Sequence, residues 1–542
     1  MGLSNIILGN DSMDKGSIRT WLNNANNNSK IPELIFGLLV FALGITVRVN
    51  FVAGSQYPLN DGGFFYRMTE ELVSNNFLLP KYSLYNHSGI PFAYPPFAFY
   101  LIGITHQIFD VSLLALFKYF PLVISCLSIP IFYLLATRFF EERIYRLLAL
   151  YLFVTLPRSF EWFVMGGGAT RSLGFLFAML SIYFLWGAFE DKKPSSKLIW
   201  GSLFSAFTIL SHPLSSLFLA FSVIVIFIYL YPVNIKLVLF YGGLILITTS
   251  PWWITVLNYH GISPFIGAAN TGHLNWFEIK NLVTQNYSYE NPYFLSIVSM
   301  LAIFGLFSKR KKISITLGIL CVVGYLVIPR GGTDYLTAYL PMLATIGFQV
   351  ITDPWNNESS VSVDENQYPA ELKSKRTRAL LIFIFVYVFI GAYSYKYVYD
   401  KGNLRLDHSN FQAMEWLRDN TNESDTVLLI PINEENRYWW NDFISEWLPA
   451  LSERESITTV QGYEWKPDSF EERISKYWSL RNCSMDYRCI NDWQRNNDLH
   501  ASYIYLDDLL KHKNLSLDFL DSGSYSIVFE NANVMILENV DH

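Results

Sequence analysis

The stretch IPELIFGLLVFALGITVRVNFVAGSQYPLNDGGFFYRM, residues 31–68, sets two regimes side by side. Its first part is almost wholly apolar through residue 52; its second turns through Pro58 and a glycine pair into mixed polarity. A helix needs roughly 20 apolar residues to cross the hydrocarbon of a bilayer. Residues 31–52 therefore read as a membrane span, and Ala53 opens the loop beyond it. Asp61 is the first acid of that loop, directly before Gly62 and Gly63.

Working outward, the pattern recurs. Of the 542 residues, 51% are hydrophobic and 17% aromatic. A soluble protein has a similar apolar share, so distribution decides the class. Apolar runs follow at 120–139, 145–165, 172–189, 198–210, 214–231, 235–257, 292–307, 313–328, 335–351 and 379–397. With the first, they make about eleven expected transmembrane helices in an α-helical integral membrane protein. The third run is interrupted by Arg158 and Glu161, and the fifth is short. Residues 1–30 are Asn-rich and read as a flexible cytoplasmic tail, without the apolar core and cleavage site of a signal peptide. From residue 400 to 542 the composition is that of a soluble domain. TVLLIP, with SYSIVFENANVMILE near the end, supplies strands, and NFQAMEWLRDN a helix, giving an α/β or α+β expectation.

Lys and Arg gather in RFFEERIYR, EDKKPSSK, SKRKK and KSKRTR, all loops on one side of the expected topology. Positive charge is retained on the cytoplasmic side, which places the N-terminus inside. The odd span count then places the C-terminal domain, 400–542, on the extracytoplasmic face. Cys483 and Cys489 stand close together in that domain, and an oxidising compartment would bridge them. Cys126 and Cys321 lie in apolar runs and read as small core residues. The formal net charge of -6 says little about partners, because charge is segregated along the chain, and no basic stripe suggests nucleic acid. Long outside loops are expected at 53–118 and 258–291, where function is commonly placed. PPFAFYLIGITHQIF, within the first of them, reads as a helix lying along the interface.

One span running into an outside loop with an early acid, SQYPLNDGGFFYRMTEEL, is followed by a surface helix and a Tyr94-Pro95-Pro96 stretch. This layout resembles the GT-C superfamily of polytopic glycosyltransferases, which includes protein O-mannosyltransferases and aminoarabinose transferases. The likeness spans roughly residues 31–351 as a layout and is motif-like in the first loop alone. EWLRDNT and EWLPALSERESITTVQGYEW resemble the outside domain of prokaryotic members. The resemblance implies a donor in which a sugar is linked to polyprenyl phosphate, an acceptor that is a lipid, glycan or protein, and contact with membrane lipids.

It also implies roles for particular residues. Asp61 would be the general base that deprotonates the acceptor oxygen, which sugar transfer requires; the competing reading is the N-cap of the helix that follows. Glu161, in RSFEWFVMGGGATR, matches an acidic position of the family, against a plain pairing with Arg158. The family pattern there is often paired and sometimes metal-bound; a single acid leaves a divalent metal and any cofactor open. Gly167 and Gly168, with Arg171, place backbone N–H groups and a guanidinium at a helix start, a recurrent phosphate site; close packing is the alternative. Arg330, in VIPRGGTDYL, would contact the lipid phosphate, for which a guanidinium fork is suited, with Asp334 as its possible neutraliser. His212, in LSHPLSS, would be a phosphate donor or metal ligand, or merely solvated.

Two other readings compete. An oligosaccharyltransferase-like enzyme would share the architecture, and Tyr438-Trp439-Trp440-Asn441-Asp442-Phe443 partly matches a Trp-Trp-Asp-Tyr-Gly motif, failing at its third position. A non-catalytic membrane transport or assembly protein is the other; transporters place ionisable groups near the midplane and repeat their halves, which this chain does not. Convergence of Asp61, Glu161, Arg171 and Arg330 on one site would separate an enzyme from these.

Overall fold

The computed structural model describes residues 30–191, 195–230, 235–271, 283, 296–328, 331–359, 370–400, 405–430, 438–483 and 485–541. The expected N-terminal tail, most of the 258–291 loop, and Arg330 lie outside the described residues. The helices in the first part are α1 (Lys30–Ala53), α2 (Gly63–Ser74), α3 (Phe97–Phe109), α4 (Leu113–Ala136), α5 (Arg143–Thr155) and α6 (Gly168–Asp191). There follow α7 (Ser196–Ser211), α8 (Pro213–Leu230), α9 (Ile235–His260), α10 (Ser263–Asn270), α11 (Ile297–Gly305), α12 (Lys311–Val327), α13 (Gly332–Leu336), α14 (Leu340–Ser359) and α15 (Lys375–Asp400). Every expected apolar run thus carries helix. Among the described residues, five are long and apolar enough to cross a membrane: α1, α4, α6, α9 and the apolar part of α15.

The departures have local causes. The run 145–165 was expected as one span, but α5 stops at Thr155 and Leu156 is extended, at φ -72° and ψ 119°. Pro157 explains this, since a proline disfavours helical geometry in the residue before it. Arg158 and Glu161 accordingly sit in a turn after α5. The run 335–351 is divided between α13 and α14.

α6 is the most enclosed of the five, with 78% of its apolar window buried, packed by α4, α7 and α8. In α1, Arg48 is fully buried. Its guanidinium donates to Gly44 and Val154 carbonyls at 3.1 and 3.5 Å and to the Ser125 and Ser159 hydroxyls at 3.1 and 3.4 Å. It also lies over the Phe153 and Phe160 rings. Among the described residues no carboxylate pairs with it.

The C-terminal region adds α16 (His408–Asn420), α17 (Phe443–Ser452), α18 (Pro467–Asn482), α19 (Tyr487–Asn496) and α20 (Leu509–Asp521). After a short hairpin in the first loop, β1 (Tyr82–Ser83) and β2 (Ile90–Pro91), the remaining strands are C-terminal: β3 (Thr426–Leu429), β4 (Glu455–Ser456), β5 (Tyr503–Asp507), β6 (Tyr525–Glu530) and β7 (Val534–Asn539). They form one mixed sheet in the order β4-β3-β5-β7-β6, parallel from β4 to β5 and antiparallel beyond. Alternate residues of a strand face opposite sides. Leu428, Ile504, Leu506 and Leu537 face one way, into a core with Phe519 and Trp493. Val427, Leu429, Tyr505 and Ile536 face the other, into a core that also contains Phe64, Met68 and Tyr94 of the first loop. The C-terminal sheet and the first loop therefore share a hydrophobic interior. Cys483 and Cys489 are bridged, with Cα atoms 5.3 Å apart.

Candidate active site

Two loops meet at a corner made of glycine. Asn60 and Gly62 have φ of 51° and 122°, the second a conformation that glycine alone accepts readily. The chain so reversed lies against residues 166–168. Gly166 N–H donates to the Leu59 carbonyl at 2.9 Å and Gly167 N–H to the Asp61 carbonyl at 3.1 Å. A Cβ on Gly167 would fall 2.3 Å from the Asp61 carboxylate, and one on Gly166 2.1 Å from the Asp61 carbonyl. The glycine run is used for close approach of the two loops. The N–H of Gly167 goes to Asp61 and that of Gly168 to the Met165 carbonyl, so both donors expected for phosphate are engaged within the chain.

The Asp61 carboxylate accepts from Gly167 N–H at 3.0 Å and from Arg171 Nη2 at 3.1 Å. It does not cap α2. Gly62 holds the N-cap position and contributes no side chain; Glu446 of α17 takes that task, its Oε1 accepting from Gly62 and Phe64 N–H at 2.8 and 3.3 Å. Burial, reinforced by the charge of Asp61, pushes the Glu446 carboxyl up to about 8.

Arg171 ties the corner to the second acid. Its Nη1 donates to the Trp162 carbonyl at 2.6 Å, one residue from Glu161. Glu161 is buried and pairs with Arg158 at 3.0 Å. Arg158 also reaches Asp334 of α13, at 3.8 Å. Burial pushes Asp334 up to about 7, against the opposing charge of Arg158. Asp334 thus serves Arg158. Asp61, Arg171, Glu161, Arg158 and Asp334 form one continuous polar seam; Arg330, four residues before Asp334, lies outside the described residues.

His212 departs from the solvated alternative. It is buried between α7 and α8, and its Nδ1 receives the Tyr335 hydroxyl at 3.0 Å and Ser215 N–H at 3.2 Å. The Tyr94 hydroxyl bonds Thr170 Oγ1 at 3.1 Å beside it. Among the described residues no cluster of three or more His, Cys, Asp or Glu is placed to hold a metal. The residue that sequence reasoning missed is Glu446. Its position in the first turn of α17 reads as an ordinary acid complementing its own helix dipole, and nothing local signals a partner in the first loop.

Against solved structures, the chain superposes on the oligosaccharyltransferase AglB of Archaeoglobus fulgidus, in complex with an inhibitory peptide and a dolichol-phosphate. The TM-score is 0.55 at 13% identity, over 92% of this chain and 73% of that one. ArnT of Cupriavidus metallidurans, bound to undecaprenyl phosphate, matches with TM-score 0.53 at 12% identity, over 93% and 98% of the two chains.

The chain has the GT-C fold.

The arabinofuranosyltransferase AftD from Mycobacteria carries the GT-C fold at TM-score 0.53 and 12% identity, this chain spanning 41% of its length. No family model and no curated protein matches the sequence. In this chain the Asp61 corner is built from the first loop, residues 166–171 and α17 of the C-terminal region.

Proposed function

We propose that this chain is a membrane glycosyltransferase that moves a sugar from a polyprenyl-phosphate carrier to an acceptor on the extracytoplasmic face. The observation that carries the reading is Asp61: a carboxylate relieved of capping, oriented by Gly167 and Arg171, in a chain of this fold. In the reaction Asp61 takes the proton of the acceptor hydroxyl as that oxygen attacks the anomeric carbon. The bond from that carbon to the phosphate oxygen breaks, and polyprenyl phosphate leaves with the electron pair. Arg330, with Arg171, would hold that phosphate; positive donors at a developing charge are commonly the largest single contribution. Glu161 is the second carboxylate of the site, held ready by Arg158.

A groove of about 470 Å³ supports a lipid-linked donor. It is lined by Phe77, Pro96, Phe97, Tyr100, Trp252 and Tyr259, and it begins two residues from Tyr94 and, at Leu210, two from His212. Apolar walls of this kind suit an isoprenoid chain.

The oligosaccharyltransferase reading draws on the AglB likeness. Against it, Asp442 is buried and committed to α17, capping Ser445 N–H at 3.4 Å and accepting from the Tyr477 hydroxyl at 3.1 Å.

The test is purified protein incubated with a panel of polyprenyl-phosphate sugars, scoring release of polyprenyl phosphate and labelling of lipid, glycan or peptide acceptors. Asp61→Asn should stop release while donor binding persists; an Asp61→Asn protein working at the parent rate refutes the role. For the proposed orientation, single cysteines at Ser308 and Ser522 are labelled from outside. Ser522 should react and Ser308 should not.

A further inference from the structure

A helix start leaves four N–H groups without partners inside the helix. An Asp just before it is a natural source of the missing oxygen, and Asp61 stands in that place before α2. Yet the bonds come from α17. Besides the two N–H groups on Glu446 Oε1, the Trp447 indole donates to the Asn60 carbonyl at 2.8 Å, and the Tyr85 hydroxyl to the Glu446 carbonyl at 2.8 Å. A Cβ on Gly63 would lie 2.6 Å from the Glu446 carbonyl oxygen, so backbone meets backbone here. Glu446 is 6% exposed and Trp447 not at all.

We propose that Glu446 is a positioning residue for sugar transfer: by capping α2 it leaves the Asp61 carboxylate turned toward Gly167 and Arg171, the orientation from which it takes the acceptor's proton. Glu446 meets no reacting atom and acts through Asp61. The inference rests on the reading of Asp61 as the base. Without Glu446, the freed N–H groups of Gly62 and Phe64 compete with Gly167 and Arg171 for the Asp61 carboxylate. A base displaced by about 1 Å can cost on the order of 10²-fold in rate.

The experiment compares Glu446→Ala, Glu446→Gln, Asp61→Asn and the Asp61→Asn/Glu446→Ala double variant, all in the full chain. The first readout is polyprenyl phosphate released from a polyprenyl-phosphate hexose. Glu446→Ala should lower kcat by about ten- to a hundredfold with the donor KM little changed. Glu446→Gln should keep most of the rate, because an amide carbonyl still accepts both N–H bonds. The double variant should fall no further than Asp61→Asn, since the two changes act on one step.

Hydrogen exchange of peptides covering residues 60–68 is the second readout and needs no substrate. Glu446→Ala should exchange faster there than the parent, and Glu446→Gln should not. If Glu446→Ala does not accumulate as folded protein, Glu446→Asp, one methylene too short to reach, takes its place. Parent-like rate or exchange in Glu446→Ala overturns the inference, as does Glu446→Gln losing as much as Glu446→Ala, or additive losses in the double variant. An Asp61→Asn protein at the parent rate refutes the base itself, and with it any action of Glu446 through Asp61.

Discussion

Asp61 and Glu161 are both carboxylates beside an arginine, but they are held in opposite ways. Glu161 pairs with Arg158, three residues earlier in the same turn. Asp61 takes Arg171 from 110 residues away and Gly167 from 106, and the capping bonds beside it come from Glu446, 384 residues from Gly62. One arrangement is a property of a single turn. The other exists only when three separate segments have come together, so its geometry reports on assembly of the whole chain.

Substituting the two acids separates them most sharply. Asp61→Asn should cost on the order of 10²–10⁴ in turnover, the usual loss for a general base. Glu161→Gln should cost clearly less, since Arg158 retains Asp334 as a partner. Equal losses in a polyprenyl phosphate release assay would erase the distinction.

A milder break uses the glycines. Gly167→Ala puts a methyl into the Asp61 carboxylate and must push it aside. Overpacking of this kind costs about 1–3 kcal/mol, so both melting temperature and turnover should drop. Gly242→Ala is the control, because its methyl meets nothing within 4 Å; in a helix it should be neutral or slightly stabilising. A Gly167→Ala protein with parent melting and turnover would show that the loops are free to part.

The smallest effect is a slope. Glu446 has an ordinary value of 4.5 and is raised to about 8 in the fold, first by burial and then by Asp61, with Glu464 adding and the Gly62 and Phe64 N–H groups opposing. A carboxyl raised on folding keeps its proton in the folded state while the unfolded chain has lost it. Its contribution is therefore whole below about 4.5 and is lost as pH rises through about 8, following proton linkage. Thermal melts from pH 5 to pH 9 should show stability falling across that window and a shallower fall in Glu446→Gln. Identical slopes would remove Glu446 as the titrating group.

What could be seen in the sequence follows the same division. Apolar runs specify helices through local composition, and each of them carries helix. The strands of TVLLIP and SYSIVFENANVMILE appeared as β3, β6 and β7 for the same reason. Pro157 shortened α5 through a local rule that the run length had masked. The Arg158–Glu161 pair was legible because three residues separate its members. The bond between Asp61 and Arg171 was not, since both residues were singled out for separate tasks and no periodicity links positions 110 apart. Glu446 opens the stretch that resembles the family, but its partner in the first loop was not legible, because a capping acid looks the same whether it serves its own helix or another.

Arg48 bears on how the chain is made. An arginine within a membrane helix is costly to insert even about a turn and a half from the helix end, and α1 alone can return only the Gly44 carbonyl to Arg48. The other acceptors, Ser125, Val154 and Ser159, belong to α4, α5 and the turn after them, which are synthesised about a hundred residues later. The first span thus leaves the ribosome carrying a debt of solvation that only later spans settle. Nascent chains arrested soon after residue 53 should insert less completely than their Arg48→Leu counterparts, and the gap should close once residue 159 has emerged.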